Sequence, residues 1–309
     1  MAEQPETAAT NNAESSTQGP HNQEYLLLTG ASSGIGRAIA EKLVQPGRTL
    51  ILSARSVEKM EQQRSELLER EPEAQVHVLR LDLADLQQVR AFASNLTTHY
   101  PYLDVLLNNA GIVAGGKRET TPDDFELTMG VNYFGPFLLT YLLLPHLLRA
   151  PQPLVINTSS AAHSLGGLRL ADLNFTKGYD RWKAYGASKL ANILHAQALA
   201  ERYADQGLHA HSFHPGFVDS GFGKQTQDYL KVVLFLLKPL QRSPEKGADT
   251  AVWLVRNAIA QRTNGHYWVD RKQKTPRISG GTPHLANALW EETLRQLELP
   301  PEPSATTDA

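Results

Sequence analysis

The chain contains no cysteine. That absence removes disulfide scaffolds, thiolate nucleophiles, zinc ribbons and iron–sulfur clusters together, and it agrees with a reducing compartment. An excess of charge of either sign is also missing. Thirty Lys and Arg stand against 32 Asp and Glu, for a formal net charge of −2, which argues against a general nucleic-acid or polyanion binder. No apolar run is long and unbroken enough to cross a bilayer. The greasiest stretch, 134–148, is interrupted by Pro136 and Pro145, so a core helix is expected there and no transmembrane segment. The first 23 residues lack Lys, Arg and an apolar middle. They are unsuited to a secretory signal and read as a disordered polar tail, as do residues 299–309. Residues 24–298 between them read as one globular domain, without internal repeats, of a cytoplasmic protein.

Within 24–298, short continuous apolar runs alternate with helical patterns. Strands are expected at 25–29, 49–53, 76–81, 103–107, 154–158, 209–213 and 265–269. Helices are expected at 35–45, 57–70, 85–99, 123–149 and 181–203. Strands that alternate with helices at this spacing imply right-handed β-α-β crossovers. The fold class is therefore α/β: a doubly wound, Rossmann-like, seven-stranded parallel sheet with helices on both faces. Glycine lowers helix stability by about 1 kcal/mol relative to alanine, yet TGASSGIG (29–36) places three glycines where the first strand meets the first helix. Such a turn lets the backbone approach a pyrophosphate while helix N-terminal amides point at the anion. A tight turn without a ligand is the alternative for this segment taken alone.

TGASSGIG is followed by NNAG (108–111), YGASK (185–189) and HPG (214–216). In that order the four resemble the short-chain dehydrogenase/reductase family, over essentially 25–297. LDLADLQQVRAFA, YGASKLANILHAQALA, SPEKGADTAVWL and the ending GHYWVDRKQKTP resemble its retinol dehydrogenase-like and WW-domain-oxidoreductase-like members. The resemblance implies a nicotinamide cofactor held by Gly30, Ser32, Ser33, Gly34, Ile35 and Gly36, with Pro215, Gly216 and Val218 on the far side. It further implies an adenine contact from Asp82 and a ribose contact from Asn109, although both could be turn formers.

Tyr185 and Lys189 lie at i and i+4, so on a helix they share a face roughly 5–6 Å apart. A cation about 5 Å away favours a phenolate by around 3 kcal/mol at an effective dielectric of about 20. The resemblance makes Tyr185 the acid/base and gives Lys189 a second task on the nicotinamide ribose. It places Ser160, the second of the Ser159–Ser160 pair, on the substrate carbonyl, and assigns Asn132 to a helix disturbance that positions a water toward the lysine. A strand-end cap for the serines and a core hydrogen bond for Asn132 are the structural alternatives.

Ala54 stands where NAD-preferring members carry an acid, and Arg55 follows it. An arginine can pair with a 2′-phosphate, so NADP(H) is expected over NAD(H), with Arg37 as a possible aid. HAHSFH (209–214) resembles a metal cluster but has no acid at ligand spacing, and no metal is expected. Ser160, His163 and Asp172 could be drawn as a hydrolase triad, yet no G-x-S-x-G elbow is present. Residues 220–244 include YLKVVLFLLKPL, whose apolar face suits a lipophilic carbonyl or alcohol substrate, peripheral contact with a membrane, or a homo-oligomer interface. The function expected is an NADP(H)-dependent oxidoreductase. The alternative is a dinucleotide-binding scaffold without turnover, for which an intact Ser, Tyr and Lys would be unnecessary.

Overall fold

Alternate residues of each central strand feed opposite cores. A computed structural model describes residues 23–217, 242–257, 263–278 and 282–303. In β1 (Glu24–Thr29) Leu26 and Leu28 join one apolar cluster and Leu27 the other. The same split separates Leu50 and Leu52 from Ile51 in β2 (Arg48–Ala54), and Leu154 and Ile156 from Val155 in β5 (Leu154–Thr158). A strand covered on both faces has no solvent side, so its sequence runs apolar without alternation. One face carries α1 (Gly34–Leu43), α2 (Val57–Arg70) and α6 (Pro244–Asn257). The other carries α3 (Leu86–His99), α4 (Leu127–Leu147), α5 (Arg181–Tyr203) and α7 (Thr282–Gln296).

With β3 (Gln75–Arg80), β4 (Val105–Asn108), β6 (His209–His214), β7 (Tyr267–Val269) and β8 (Lys272–Lys274), the sheet order is β3-β2-β1-β4-β5-β6-β7-β8. The chain winds outward from β1 to β3, then returns to place β4 on the other side of β1. That reversal opens a crevice above the carboxyl ends of β1 and β4, where doubly wound sheets bind ligands.

Seven strands are parallel, as the pattern predicts, and β8 adds an antiparallel eighth at the edge. Its three residues are all exposed, so it carries no apolar pattern to detect. The turn that joins it to β7 uses Asp270 (φ 52°) and Arg271 (φ 59°), both left-handed as a two-residue hairpin of this hand demands, but without the usual Asn-Gly.

The long central helix starts at Leu127, later than 123. Asp124 turns the chain at φ 63°, and the Glu126 carboxylate then caps the helix by accepting from the Met129 amide at 2.8 Å. Inside α4, Gly130–Phe134 form a π turn whose following amide, Gly135 N–H, bonds to Gly130 O. Among the described residues α4 is the one helix long and apolar enough to cross a bilayer, and 83% of its apolar 18-residue stretch is buried within the protein. At the C-terminus, Leu299 N–H bonds to Leu294 O at 2.9 Å, and Tyr141 Oη donates to Pro300 O at 2.8 Å. The anchored chain thus runs beyond residue 298.

Candidate active site

At the end of β1, Gly30 takes φ +68°, and a Cβ there would lie 2.7 Å from Ala110 Cα. A Cβ on Gly36 would lie 2.2 Å from Gly30 O. Turn and helix are therefore in backbone contact, and only glycine permits it. The side chain of Ser33, the N-cap of α1, makes no capping hydrogen bond, which leaves the first amides of the helix open to an anion. They face a cavity of about 750 Å³ lined by Gly30, Ser32, Ser33, Gly34, Ile35 and Gly36. Open amides, a glycine cradle and this volume fit a dinucleotide pyrophosphate.

Ala54, Arg55, Lys59 and Asp82 line the far end of the same cavity. Arg55 is exposed, and among the described residues it makes no ion pair. Lys59, in the first turn of α2, is a second cation that the sequence reading missed; its position four residues after Arg55 was the available signal. Arg37 is engaged elsewhere, paired with Glu41 at 2.9 Å and with Glu66, so it gives no help here. The Asp82 carboxylate accepts from Ala84 N–H at 3.0 Å. Asn109 lines the cavity, but its amide nitrogen donates to Thr29 O at 3.0 Å and Gly30 O at 3.4 Å. It thereby secures the glycine turn, and only its oxygen faces no partner from that turn.

Asn132, Ser160, Tyr185 and Lys189 do not themselves line this cavity, but one of its lining residues abuts the buried polar cluster they belong to. A Cβ on Gly111, a lining residue, would come within 3.1 Å of Lys189 Nζ and 3.2 Å of Asn132 Oδ1. Lys189 is 3% exposed; its ammonium donates to Thr158 O at 3.1 Å and lies 5.7 Å from the centroid of the Tyr185 ring. Burial pulls the Lys189 pKa down to about 8. Burial also pushes the Tyr185 phenol up, opposed by its hydrogen bond with Ser160. Desolvation thus works against the ionised form of both groups. Burial alone raises the phenol pKa before any ligand charge acts on it.

The two serines divide their tasks. Ser159 is 1% exposed and donates from Oγ to Lys189 O at 2.7 Å. Ser160 faces Tyr185 and caps the short 3₁₀ turn 161–164, accepting from Ala162 N–H at 3.2 Å. Asn132 sits inside the π turn. Its oxygen accepts from Ile112 N–H at 2.7 Å, and its nitrogen donates to Ile112 O at 2.9 Å and Ser188 Oγ at 3.0 Å. What this side chain positions directly is the loop after β4.

Gly216 (φ +87°) packs against Arg242, and its amide donates to His214 Nδ1 at 3.3 Å. Gly216 and Pro215 do not line the cavity. Val218 and most of 220–244 lie outside the described residues. The hydrolase arrangement does not form: His163 Nδ1 meets the Ser160 carbonyl at 2.7 Å, not its Oγ, and Asp172 accepts from Thr176 and Lys177. In the histidine run, His211 Nδ1 accepts from Trp268 Nε1–H at 3.2 Å, and among the described residues no group of three or more His or acids could hold a metal.

The family model for short chain dehydrogenases matches residues 24–230. The chain belongs to that family. This short-chain dehydrogenase is 36% identical over 277 residues to retinol dehydrogenase 12 of Mus musculus, covering 89% of this chain and 87% of the relative. It is 34% identical to retinol dehydrogenase 11 of Homo sapiens over 90% and 86% of the two chains. Among solved structures it is similar to an uncharacterised protein from Mycobacterium paratuberculosis, with TM-score 0.70, 31% identity and coverage of 91% and 95%. A short-chain dehydrogenase from Shigella flexneri complexed with NADP matches with TM-score 0.60, 28% identity and coverage of 80% and 96%. The dehydrogenase described here is accordingly an oxidoreductase of CH–OH or C=O groups that binds a nicotinamide dinucleotide, with a retinol dehydrogenase-like sequence.

Proposed function

We propose that this dehydrogenase uses NADP(H) to interconvert a carbonyl and an alcohol on a lipophilic, retinoid-like substrate. The observation that carries the reading is that Lys189, 5.7 Å from the Tyr185 ring centroid, abuts Gly111 in the wall of the glycine-lined cavity, while Ser160 faces Tyr185. A bound nicotinamide supplies or accepts the hydride. Ser160 Oγ orients the substrate oxygen, and Tyr185 Oη gives that oxygen a proton during reduction or takes it during oxidation. Such a group contributes roughly 10²–10⁴-fold when its protonation state matches the step. Lys189 keeps a positive charge within reach of the phenol, which favours the phenolate that burial alone disfavours. A scaffold without turnover would have no use for a buried lysine whose ammonium has no carboxylate partner among the described residues.

The NADP(H) preference rests on the cations Arg55 and Lys59 at the far end of the cavity, where Ala54 offers no carboxylate to ribose hydroxyls. The lipophilic substrate is supported by the relatives' names and by two exposed apolar side chains on the segments that follow β5 and β6. Leu165, which ends the Ser160 turn, is 64% exposed, and Phe217, just after Gly216, is 41% exposed. The test is a panel of all-trans-retinal, aliphatic aldehydes, steroids and quinones, assayed with NADPH and with NADH. Turnover confined to retinal and long aldehydes with NADPH is the expected result. Activity only on small polar carbonyls would refute the substrate class.

A further inference from the structure

Ser160 O accepts two hydrogen bonds, one from His163 N–H at 3.1 Å and one from the His163 ring at Nδ1, at 2.7 Å. A carbonyl can only accept, so Nδ1 carries the proton. On the other side of the ring, Nε2 lies 3.2 Å from Arg277 N–H. A peptide amide can only donate, so Nε2 must be the acceptor. Both contacts demand the same neutral tautomer. The ring is 6% exposed and packs edge-on to Tyr267 of β7 at 5.1 Å. Arg277 lies 114 residues further along the chain, just after β8, and the next residue, Ile278, packs on the main apolar core. The imidazole therefore ties the Ser160 peptide to a fixed part of the molecule.

We propose that His163 is a positioning residue for the reaction: it holds the Ser160 peptide against the Arg277 segment so that Ser160 Oγ stays in register with Tyr185 Oη. The proposal rests on the reading of Ser160 given above. Ser160 lies between the end of β5 at Thr158 and a short turn that begins at Ala161. Without the ring, the peptide's own oxygen keeps only the bond from His163 N–H within that turn, and the segment is held by the bond from Ala161 N–H to His214 Nδ1 at 3.3 Å, by the contact of Ala162 O with Gly186, and by the bonds of Ser159 to Lys189 O and Phe213 O. A misplacement of about 1 Å in a reacting group can reduce turnover by about 10²-fold.

The test uses the full-length protein with NADPH and all-trans-retinal. His163→Leu should lower kcat at least about tenfold while the NADPH dissociation constant stays within about twofold. His163→Asn, whose side-chain amide can still donate to Ser160 O, should recover most of that loss; a merely structural ring would not be replaced by so much smaller a side chain. In a Ser160→Ala background, His163→Leu should have no further effect on kcat, since groups acting as a unit are non-additive. The crystal structure of His163→Leu should show Ser160 Oγ displaced relative to Tyr185 Oη, a readout that needs no substrate. Wild-type kcat in His163→Leu, an equal loss in both backgrounds, or an unmoved Ser160 side chain overturns the proposal. Full activity of Ser160→Ala alone would instead overturn the reading of Ser160.

Discussion

Gly166 and Gly186 touch backbone to backbone. A Cβ on Gly166 would lie 2.4 Å from Ala187 N, and one on Gly186 would lie 2.6 Å from Ala162 O and 2.7 Å from Gly166 N. Gly186 adjoins Tyr185, and Gly166 directly follows the turn that starts at Ser160 and ends at Leu165, so this contact fixes how closely serine and tyrosine approach. Gly186→Ala should push the turn away, reducing kcat by about 10²-fold and stability by about 1–3 kcal/mol. Gly167→Ala, next to Gly166 but with nothing within 4 Å of where its Cβ would sit, should do neither. Urea unfolding and steady-state kinetics on both variants check this, and equal behaviour would refute it.

Tyr185→Phe should remove turnover by roughly 10²–10⁴-fold and leave NADPH affinity within a few-fold, because the hydroxyl acts on substrate. Fluorescence titration of the nucleotide beside the kinetic assay separates the two quantities. A variant that keeps a tenth of wild-type activity would rule out Tyr185 as the acid/base.

Lys189 makes stability depend on pH in a defined direction. Burial lowers its pKa from 10.5 to about 8. Below about pH 8 the folded and unfolded chains both carry the proton, and the folded one bears the full desolvation penalty. Between about 8 and 10.5 the unfolded chain binds more protons, so stability rises with pH, by roughly 3 kcal/mol in all. Lys189→Met should abolish turnover, remove this rise, and be more stable than wild type at pH 7. Denaturant midpoints of the nucleotide-free proteins at pH 7 and pH 10 measure it. A lower midpoint for the variant at pH 7 would count against the argument.

Arg55→Ala should weaken NADPH binding by about 1.5 kcal/mol, the lower end for a charged hydrogen bond, since Arg55 is exposed and salt screens it. Lys59→Ala should add a smaller loss, and NADH affinity should hardly change in either. Ala54→Asp should invert the preference, because a carboxylate repels a 2′-phosphate and accepts from free ribose hydroxyls. Dissociation constants for both nucleotides at two salt concentrations decide it, and equal wild-type affinities would sink the idea.

What the sequence made legible was local or periodic. The apolar runs of β1, β2 and β5 reflect burial on two faces, and the glycine turn is contained within eight residues of chain, 29–36. Tyr185 and Lys189 share a helix face through spacing alone. Contacts between distant segments were not legible. His163 meets Arg277 across 114 residues, and neither residue type announces the other. The resemblance of the NNAG turn makes Asn109 a ribose contact; that its nitrogen also secures the turn after β1 was not legible, while Asn109 still lines the cavity. Strand β8 escaped notice because a fully exposed edge needs no apolar residues, and because the Asp270–Arg271 turn reaches left-handed φ without glycine. Asp270 pairs with Arg242 and Arg271 with Asp249, so each residue of that unusual turn has a charged partner.

Arg242 is held from three directions: its amide bonds to Phe217 O at 2.7 Å, its guanidinium pairs with Asp270 in the β7–β8 turn, and its side chain packs against Gly216. One side chain thus acts as a keystone between the end of β6 and the edge of the sheet. Neutralising it would loosen both together, although neither is its neighbour in the chain.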